Sequence, residues 1–572
     1  MTISTTYRLI IGCTLAFASG IAPAIGGMFS RDAYTGQGAP PQQSTADGCA
    51  LAEECFTAAA FSKERLNNGV TRDRLAALKL ERLQKVIEKF PASLWAKRAG
   101  LLSGVILIDQ NPAAAIAYLR AAQQDFPTLD DYIRVWIGEA LLQLGDPKEA
   151  ATMFESVLQA IPDSNLLHHA TFRVGEAWYQ ASRCPEAISW LVKAVDLNEK
   201  ERQVAHARFR LASCQLRESQ LNEARETLKQ LWAKFPYTKE AKEAEALLAS
   251  NIGGEPWVSS PDEHYARAQA YLGQSLHVEA IEELKKFLAR DPASPHRRDA
   301  KLKLGVAQVR LKLYDQARDT FHELTVEPGL RADEATVWLA RVYLRQGLGD
   351  KLLELCRTLS KRRLSPEQKG QINVFGGIWL EDQSRFDEAI TKYRRAAKSG
   401  EPASQRAEAR WREGWAFYRT ARYQEAIRAW QQIIDQKGSE LEPQVLYWIA
   451  RSYNHVEAAK SGEVFARLCQ QFPHTYYCQL VGGLGDVPSQ SRTQQENPTV
   501  PTSVAQPVGE SAEASAQDNH AKNRAHIEQQ SAYRRAVELR ALGLEQDAVR
   551  ELAALTDQYG RDLRRWRRYR SC

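Results

Sequence analysis

One spacing narrows the possible folds of this chain more than any other feature. Ala150, Ala187, Ala224, Ala280, Ala317, Leu352, Ala389 and Ala426 follow one another at steps of 35 to 37 residues, with one step of 56 between Ala224 and Ala280. Twelve residues before each stands a small residue: Gly138, Gly175, Ala212, Ala268, Gly305, Ala340, Gly377 and Gly414. Four residues after each stands a large or apolar one: Phe154, Leu191, Leu228, Leu284, Phe321, Cys356, Tyr393 and Trp430. A small residue on a first helix lets a second helix approach closely, and the small anchor on the second helix receives it. The bulky residue one turn on shares the anchor's face and is expected to fill the groove toward the next repeat. Short turns such as 144–147 and 421–423 join the helices, and Ile161-Pro162, Phe235-Pro236, Asp291-Pro292 and Phe472-Pro473 stop them.

A hairpin of this size cannot bury its apolar face alone, so neighbours must stack. The predicted fold is all-α, a right-handed superhelical solenoid of antiparallel helix pairs over residues 51–485. The long step implies a segment inserted around Gly253 to Pro261. The small, bulky, Ala and Pro positions together resemble the tetratricopeptide repeat. The steps run slightly long for that family, and Arg410 stands where it often has Trp. The resemblance spans roughly residues 60–480 and implies an extended surface for peptide or protein partners.

The ends read differently. Residues 1–24 have the layout of a signal peptide: Arg8, an apolar run from Leu9 to Phe17, and Ala22-Pro23-Ala24 as a small-x-small cleavage site. An uncleaved anchor over Leu9 to Phe29 is the alternative. Residues 25–50 read as a flexible leader and 486–525 as a disordered, Pro- and Ser-rich linker. In 526–560 the repeat spacing returns at Ala536, Ala548 and Leu552, so a last helical hairpin is expected, docked back onto the array or hanging free of it. Eight cysteines follow Ala24, and Cys49/Cys55, Cys184/Cys214 and Cys469/Cys478 lie close in sequence. Local disulfides in an oxidising compartment are one reading, and buried thiols the other.

Charge adds a limit. Of the formal +6, the basic tail 561–572 supplies +5, from six Arg against Asp562. The rest is near neutral, which argues against a nucleic-acid footprint over the whole chain. Within the tail, Arg564, Arg565, Trp566, Arg567 and Arg568 interleave cations with an aromatic, a pattern suited to an anionic surface. A solvated helix end is the plainer reading.

A second resemblance appears toward the C-terminus. Ala409-Arg410-Trp411-Arg412-Glu413-Gly414-Trp415, Leu446-Tyr447-Trp448-Ile449-Ala450-Arg451 and Pro473-His474-Thr475-Tyr476-Tyr477 are similar to the superhelical region of soluble lytic transglycosylases. In that family these helices precede a lysozyme-like domain that cleaves peptidoglycan. Its catalytic Glu lies in a Glu-Ser pair followed by Gly-Leu-Met-Gln. The pairs here, Glu155-Ser156, Glu218-Ser219 and Glu510-Ser511, lack that run. No phosphate loop, His-Glu-x-x-His or Gly-x-Ser-x-Gly is found, and His168-His169 point to different helix faces. No catalytic residue, cofactor or metal is therefore assigned. Trp415 and Tyr418 fall outside the packing triplet and are the candidate binding residues of the aromatic-rich region.

The expected function is a non-catalytic, exported repeat scaffold holding a protein or peptide in its groove. The alternative is the superhelical portion of a peptidoglycan lytic transglycosylase that lacks or has lost its catalytic domain, with peptidoglycan as a further partner. Membrane contact would arise through an uncleaved N-terminus or the basic tail alone.

Overall fold

The structure is a computed structural model. It describes residues 49–61, 72–197, 201–254, 256–326, 330–361, 364–399, 402–436, 438–483 and 529–555. The signal, linker and basic tail predicted above, including Arg564 to Arg568, and the leader up to residue 48 lie outside these residues. Every regular element among the described residues is a helix, and successive helices pair as hairpins. Those that matter below are Leu94–Leu107 with Pro112–Gln123, Asp130–Leu144 with Pro147–Ala160, and Leu167–Gln180 with Cys184–Asp196. Later come Arg297–Arg310 with Tyr314–Val326, Leu330–Gln346 with Gly349–Thr358, Pro366–Asp382 with Phe386–Ser399, and Ala403–Arg419 with Tyr423–Ile434.

The predicted register is visible atom by atom. A Cβ added to Gly138 would lie less than 3 Å from Phe154, and the same holds for Gly175 against Leu191, Gly305 against Phe321, Gly377 against Tyr393, and Gly414 against Trp430. Real side chains do not approach so closely, so only glycine fits these five positions. The bulky residue thus reaches back across its own hairpin, where spacing alone read it as pointing to the next repeat. Ala115 and Leu119 against Gly104 form one earlier hairpin of the same kind, which the sequence reading passed over.

The turns keep phase as well. Five residues before each anchor the backbone is left-handed, at Gly145, Ser182, Ser219, Ser275, Lys312, Gly347, Ser384 and Ala421. The next amide donates to the carbonyl five residues upstream, as from Asp146 to Leu141 and from Arg422 to Phe417, both at 2.9 Å. This closes the first helix and frees the chain to reverse. In one hairpin the second helix starts on a side-chain cap: in Gly145-Asp146-Pro147 the Asp146 carboxylate accepts from the Glu149 amide at 3.3 Å and Pro147 fills the first turn. The long step after Ala224 contains the segment expected around Gly253 to Pro261 and more. It holds an additional helix, Lys239–Ala249, and a short 3-10 turn, Ile252–Gly254.

The chain divides into two compact units. The first comprises residues 1–231, 246–255 and 503–572, and the second residues 232–245 and 256–502. Three disulfides are present, Cys49–Cys55, Cys184–Cys214 and Cys469–Cys478, with Cα–Cα distances of 5.4, 5.1 and 5.0 Å. Cys356 is a buried free thiol. No helix among the described residues is long and apolar enough to cross a membrane.

Candidate functional site

Relative to the small residue of each first helix, positions −6, −2, +1 and +5 fall within roughly a 60° arc at 100° per residue. They form one stripe along the helix, away from the hairpin's own contact. In the first unit the stripe has an occupant. The predicted C-terminal hairpin is formed by Ser531–Ala541, a left-handed turn at Gly543, and a second helix over 545–555. It docks onto the early repeats of its own unit, with Leu539, Leu542 and Ala548 joining an apolar core that includes Tyr132, Ile133 and Val135.

A polar cluster fixes the docked position. Glu551, fully buried, accepts from Tyr132 Oη at 2.8 Å, Asn165 Nδ2 at 2.8 Å and Arg535 Nε at 2.9 Å. Arg535 also donates to the Asp163 carbonyl at 3.2 Å and lies 3.7 Å from Asp131. Burial works against the Arg535 charge, but Glu551 and then Asp131 raise its affinity for the proton. Asp131 is pushed above the ordinary carboxylate value by burial, against a 2.6 Å hydrogen bond from Ser164. One turn from Arg535, Glu538 takes a bidentate grip from Arg98, at 2.8 and 3.1 Å, and that guanidinium lies 4.6 Å from the Trp95 ring centre. Arg98 and Tyr132 occupy the same −6 position in successive repeats. Arg-carboxylate forks of this kind give orientation as well as energy.

Beyond the hairpin the stripe continues as an ion-pair ladder. Glu139 pairs with Arg173 and His169, and Glu176 lies 3.3 Å from His206 and 3.5 Å from Arg210. Burial opposes ionisation of both acids, yet the hydrogen bonds from His169 and His206, with the nearby Arg charges, hold them below 4.5.

In the second unit the stripe carries Trp338, Arg341 and Arg345 on Leu330–Gln346, Phe375 on Pro366–Asp382, and Trp415 on Ala403–Arg419. Trp415 and Tyr418, singled out from sequence, are half-buried and nearly parallel, with ring centres 5.7 Å apart and 8° between planes. Trp448 stands edge-on to both, at 4.8 and 5.1 Å. Tyr423 and His455 stack at 4.2 Å beside them. Trp430 and Tyr447 are buried core, whereas Tyr476 is exposed. Arg410, the departure from the family's Trp, donates to the buried Glu413 at 2.6 Å, together with Arg394 at 2.7 Å.

Three other places were candidates for chemistry. Ser259, His264 and Glu283 form a hydrogen-bonded chain, 2.9 Å from Ser259 Oγ to His264 Nε2 and 2.6 Å from His264 Nδ1 to Glu283. Arg290 Nη1 lies 2.9 Å from the same Nε2 and 3.1 Å from Ser259 Oγ. A guanidinium can only donate, so it competes for the lone pair that a general base would need. The arrangement ties the segment before Pro261 to its hairpin. A cleft of about 410 Å³ beside Arg318, Asp319, His322 and Lys351 mixes both charge signs. Among the described residues no group of acids, His and Cys could hold a metal. Of the Glu-Ser pairs, Glu155 accepts from Trp178 Nε1 at 3.0 Å, Ser219 is a left-handed turn residue, and Glu510-Ser511 lies outside the described residues.

Models of the tetratricopeptide repeat match residues 107–171, 206–236, 265–329 and 380–442. Tetratricopeptide repeats are therefore present in this chain over those stretches. No curated protein matches the chain. Among solved structures, the P58(IPK) TPR domain is 17% identical, covering 61% of this chain and 96% of its own, with a TM-score of 0.19. Yeast Tom70 is 14% identical, covering 72% of this chain and 91% of its own, with a TM-score of 0.28. The Cut9–Hcn1 hetero-tetramer of the APC/C gives 13%, 72%, 93% and 0.27.

Proposed function

We propose that this protein is a non-catalytic scaffold of an oxidising, extracytoplasmic compartment that holds helical protein segments on its first-helix stripe. The observation that carries this reading is the docked hairpin: the stripe of Leu94–Leu107 and Asp130–Leu144 holds a helical segment separated from it by about 400 residues of chain, through Arg98–Glu538 and Tyr132–Glu551. The three disulfides support the compartment. The test measures binding of an array of helical peptides to the full chain. Saturable binding that competes at Trp415 or Tyr418 supports the scaffold, and absence of any peptide binding would sink it.

A second reading, as the superhelical part of a lytic transglycosylase, is favoured by one observation. The half-buried Trp415–Tyr418 stack presents parallel rings of the kind that suit sugar faces. Retention on insoluble peptidoglycan would support it, and release of anhydro-muropeptides would contradict a non-catalytic chain.

A further inference from the structure

Two of the three disulfides are sealed and the third meets solvent. The cysteines of Cys49–Cys55 and Cys184–Cys214 are 4, 5, 3 and 0% exposed. Cys469 and Cys478 are both half-buried, and Pro473 and His474, inside the turn they close, are exposed. Disulfide exchange begins when a thiolate reaches one of the two sulfurs, so a buried bond waits on local opening and this one does not. The helix ends set a direction. Cys469 lies in the last turn of Ala458–Gln471, where the carbonyl end of the helix disfavours a thiolate. Cys478 is the third residue of Tyr476–Gly483, among first-turn amides that favour one. Phe-Pro-x-Ser/Thr precedes a helix three times in the chain, ending at Ser93, Thr238 and Thr475. The Ser93 and Thr238 hydroxyls accept from the amides of Ala96 and Ala241 at 3.1 and 3.2 Å. The matching amide after Thr475 is that of Cys478, and among the described residues nothing accepts from it. Cys184 also opens a helix, so access rather than position alone separates the pairs. The bond also has something to hold. Tyr476–Gly483 has eight residues, too few to be stable alone. Besides the disulfide it is kept in place by Tyr477 against the Tyr447 ring, at 5.6 Å, and by Leu480 and Val481 in the core with Phe465 and Leu468.

We propose that Cys469–Cys478 is a thiol-exchange site for small-molecule thiols and a latch on the helix Tyr476–Gly483. The incoming thiolate forms a bond to Cys469 Sγ, the Cys469–Cys478 bond breaks, and its electron pair leaves on Cys478 Sγ. The products are a mixed disulfide at 469 and a thiolate at 478, with no net oxidation. Return attack by Cys478 on Cys469 expels the small thiol and restores the bond. While the bond is open, Tyr476–Gly483 is held by its apolar contacts alone and loosens from Tyr447 and Phe465.

The test treats the folded, oxidised full chain with reduced glutathione, quenches with N-ethylmaleimide, and maps both labels by peptide mass spectrometry. Glutathione on Cys469 with N-ethylmaleimide on Cys478 is expected at least about tenfold faster than any label on Cys49, Cys55, Cys184 or Cys214. In urea that preference should vanish, since unfolding exposes all three bonds. A buried pair opening first, or all three opening together in the folded chain, overturns the proposal. So does a preference that survives unfolding, which would owe nothing to the fold. Adducts that gather on Cys478 overturn the direction of attack. The latch is read by hydrogen exchange of the glutathione adduct. Amides of 477–483 should quicken while those of Glu442–Val456 stay protected. Unchanged exchange across 477–483 in the adduct overturns the latch.

Discussion

Over residues 94–144 the first-helix stripe carries Arg98, Tyr132 and Trp136, and the chain's own C-terminal hairpin lies on it. Over residues 330–419 it carries Trp338, Arg341, Arg345, Phe375 and Trp415, and among the described residues the cations on it at 341 and 345 have no acid. Both stripes are displayed by similar hairpins, with glycine or alanine beneath a bulky residue and, outside the 94–123 hairpin, a left-handed turn between helices. The difference teaches that the repeat sets where side chains stand, while the side chains at four positions per first helix set what is held. A filled stripe shows buried, mutually satisfied charges. An unfilled one shows aromatic rings and cations left half-exposed.

Glu551 is where that contrast breaks most severely. Replacing it with Ala leaves Arg535 buried without its main partner, at a cost of about 3–5 kcal/mol. Limited proteolysis should then cut within 529–555 while the other repeats stay resistant. Reducing the disulfides comes next. Cys184–Cys214 spans 30 residues, and its loss should cost the first unit about 3–4 kcal/mol, read as a lower unfolding midpoint with reductant. Gly414→Ala tests the shared scaffold under the second stripe. A methyl group there meets the Trp430 ring, so the variant should lose about 1–3 kcal/mol and disturb the Trp415–Tyr418 stack, visible in near-UV circular dichroism.

Acid separates the docking cluster from the ladder beside it. Glu139 and Glu176 are held below their ordinary 4.5 when folded, so their contribution is full above that pH and fades as pH falls further. Asp131 is raised above its ordinary 3.8, so its contribution has the opposite sign and is lost as pH rises through the folded value. Below about pH 4.5, hydrogen exchange should quicken in 167–217, which carries Glu176 and the partners of Glu139, before it quickens in the docked helix 531–541. The smallest effect is expected at Ala421, whose left-handed backbone favours glycine. Ala421→Gly should gain about 0.5–1 kcal/mol by thermal melting.

Much of the fold was legible because its determinants are local and periodic. The Gly138–Phe154 type of contact repeats at a fixed sequence offset, and one chain contains enough copies to show it. Ala115 escaped because its first helix puts the small residue, Gly104, eleven positions before it where the others have twelve. The extra helix Lys239–Ala249 escaped because it has no partner at the repeat spacing. Trp415 and Tyr418 were found by being out of phase with packing, and that criterion also fits Arg341, which the search for aromatic clusters did not weigh. The docking of the last hairpin was legible as a possibility from Ala536, Ala548 and Leu552. Its target was not, because Arg98, Asp131, Tyr132 and Asn165 meet it across hundreds of residues through charges that no period marks.

The central claim, that the first-helix stripe is a face for helical segments and is filled in the first unit by the chain itself, is tested most directly by hydrogen exchange of the intact protein across 529–555. The account predicts amides of Ser531–Ala541 protected to a degree comparable with those of Asp130–Leu144, and protection lost in R535A while 130–144 stays closed. Exchange of 531–541 at the rate of an unstructured peptide in the wild-type protein would contradict it.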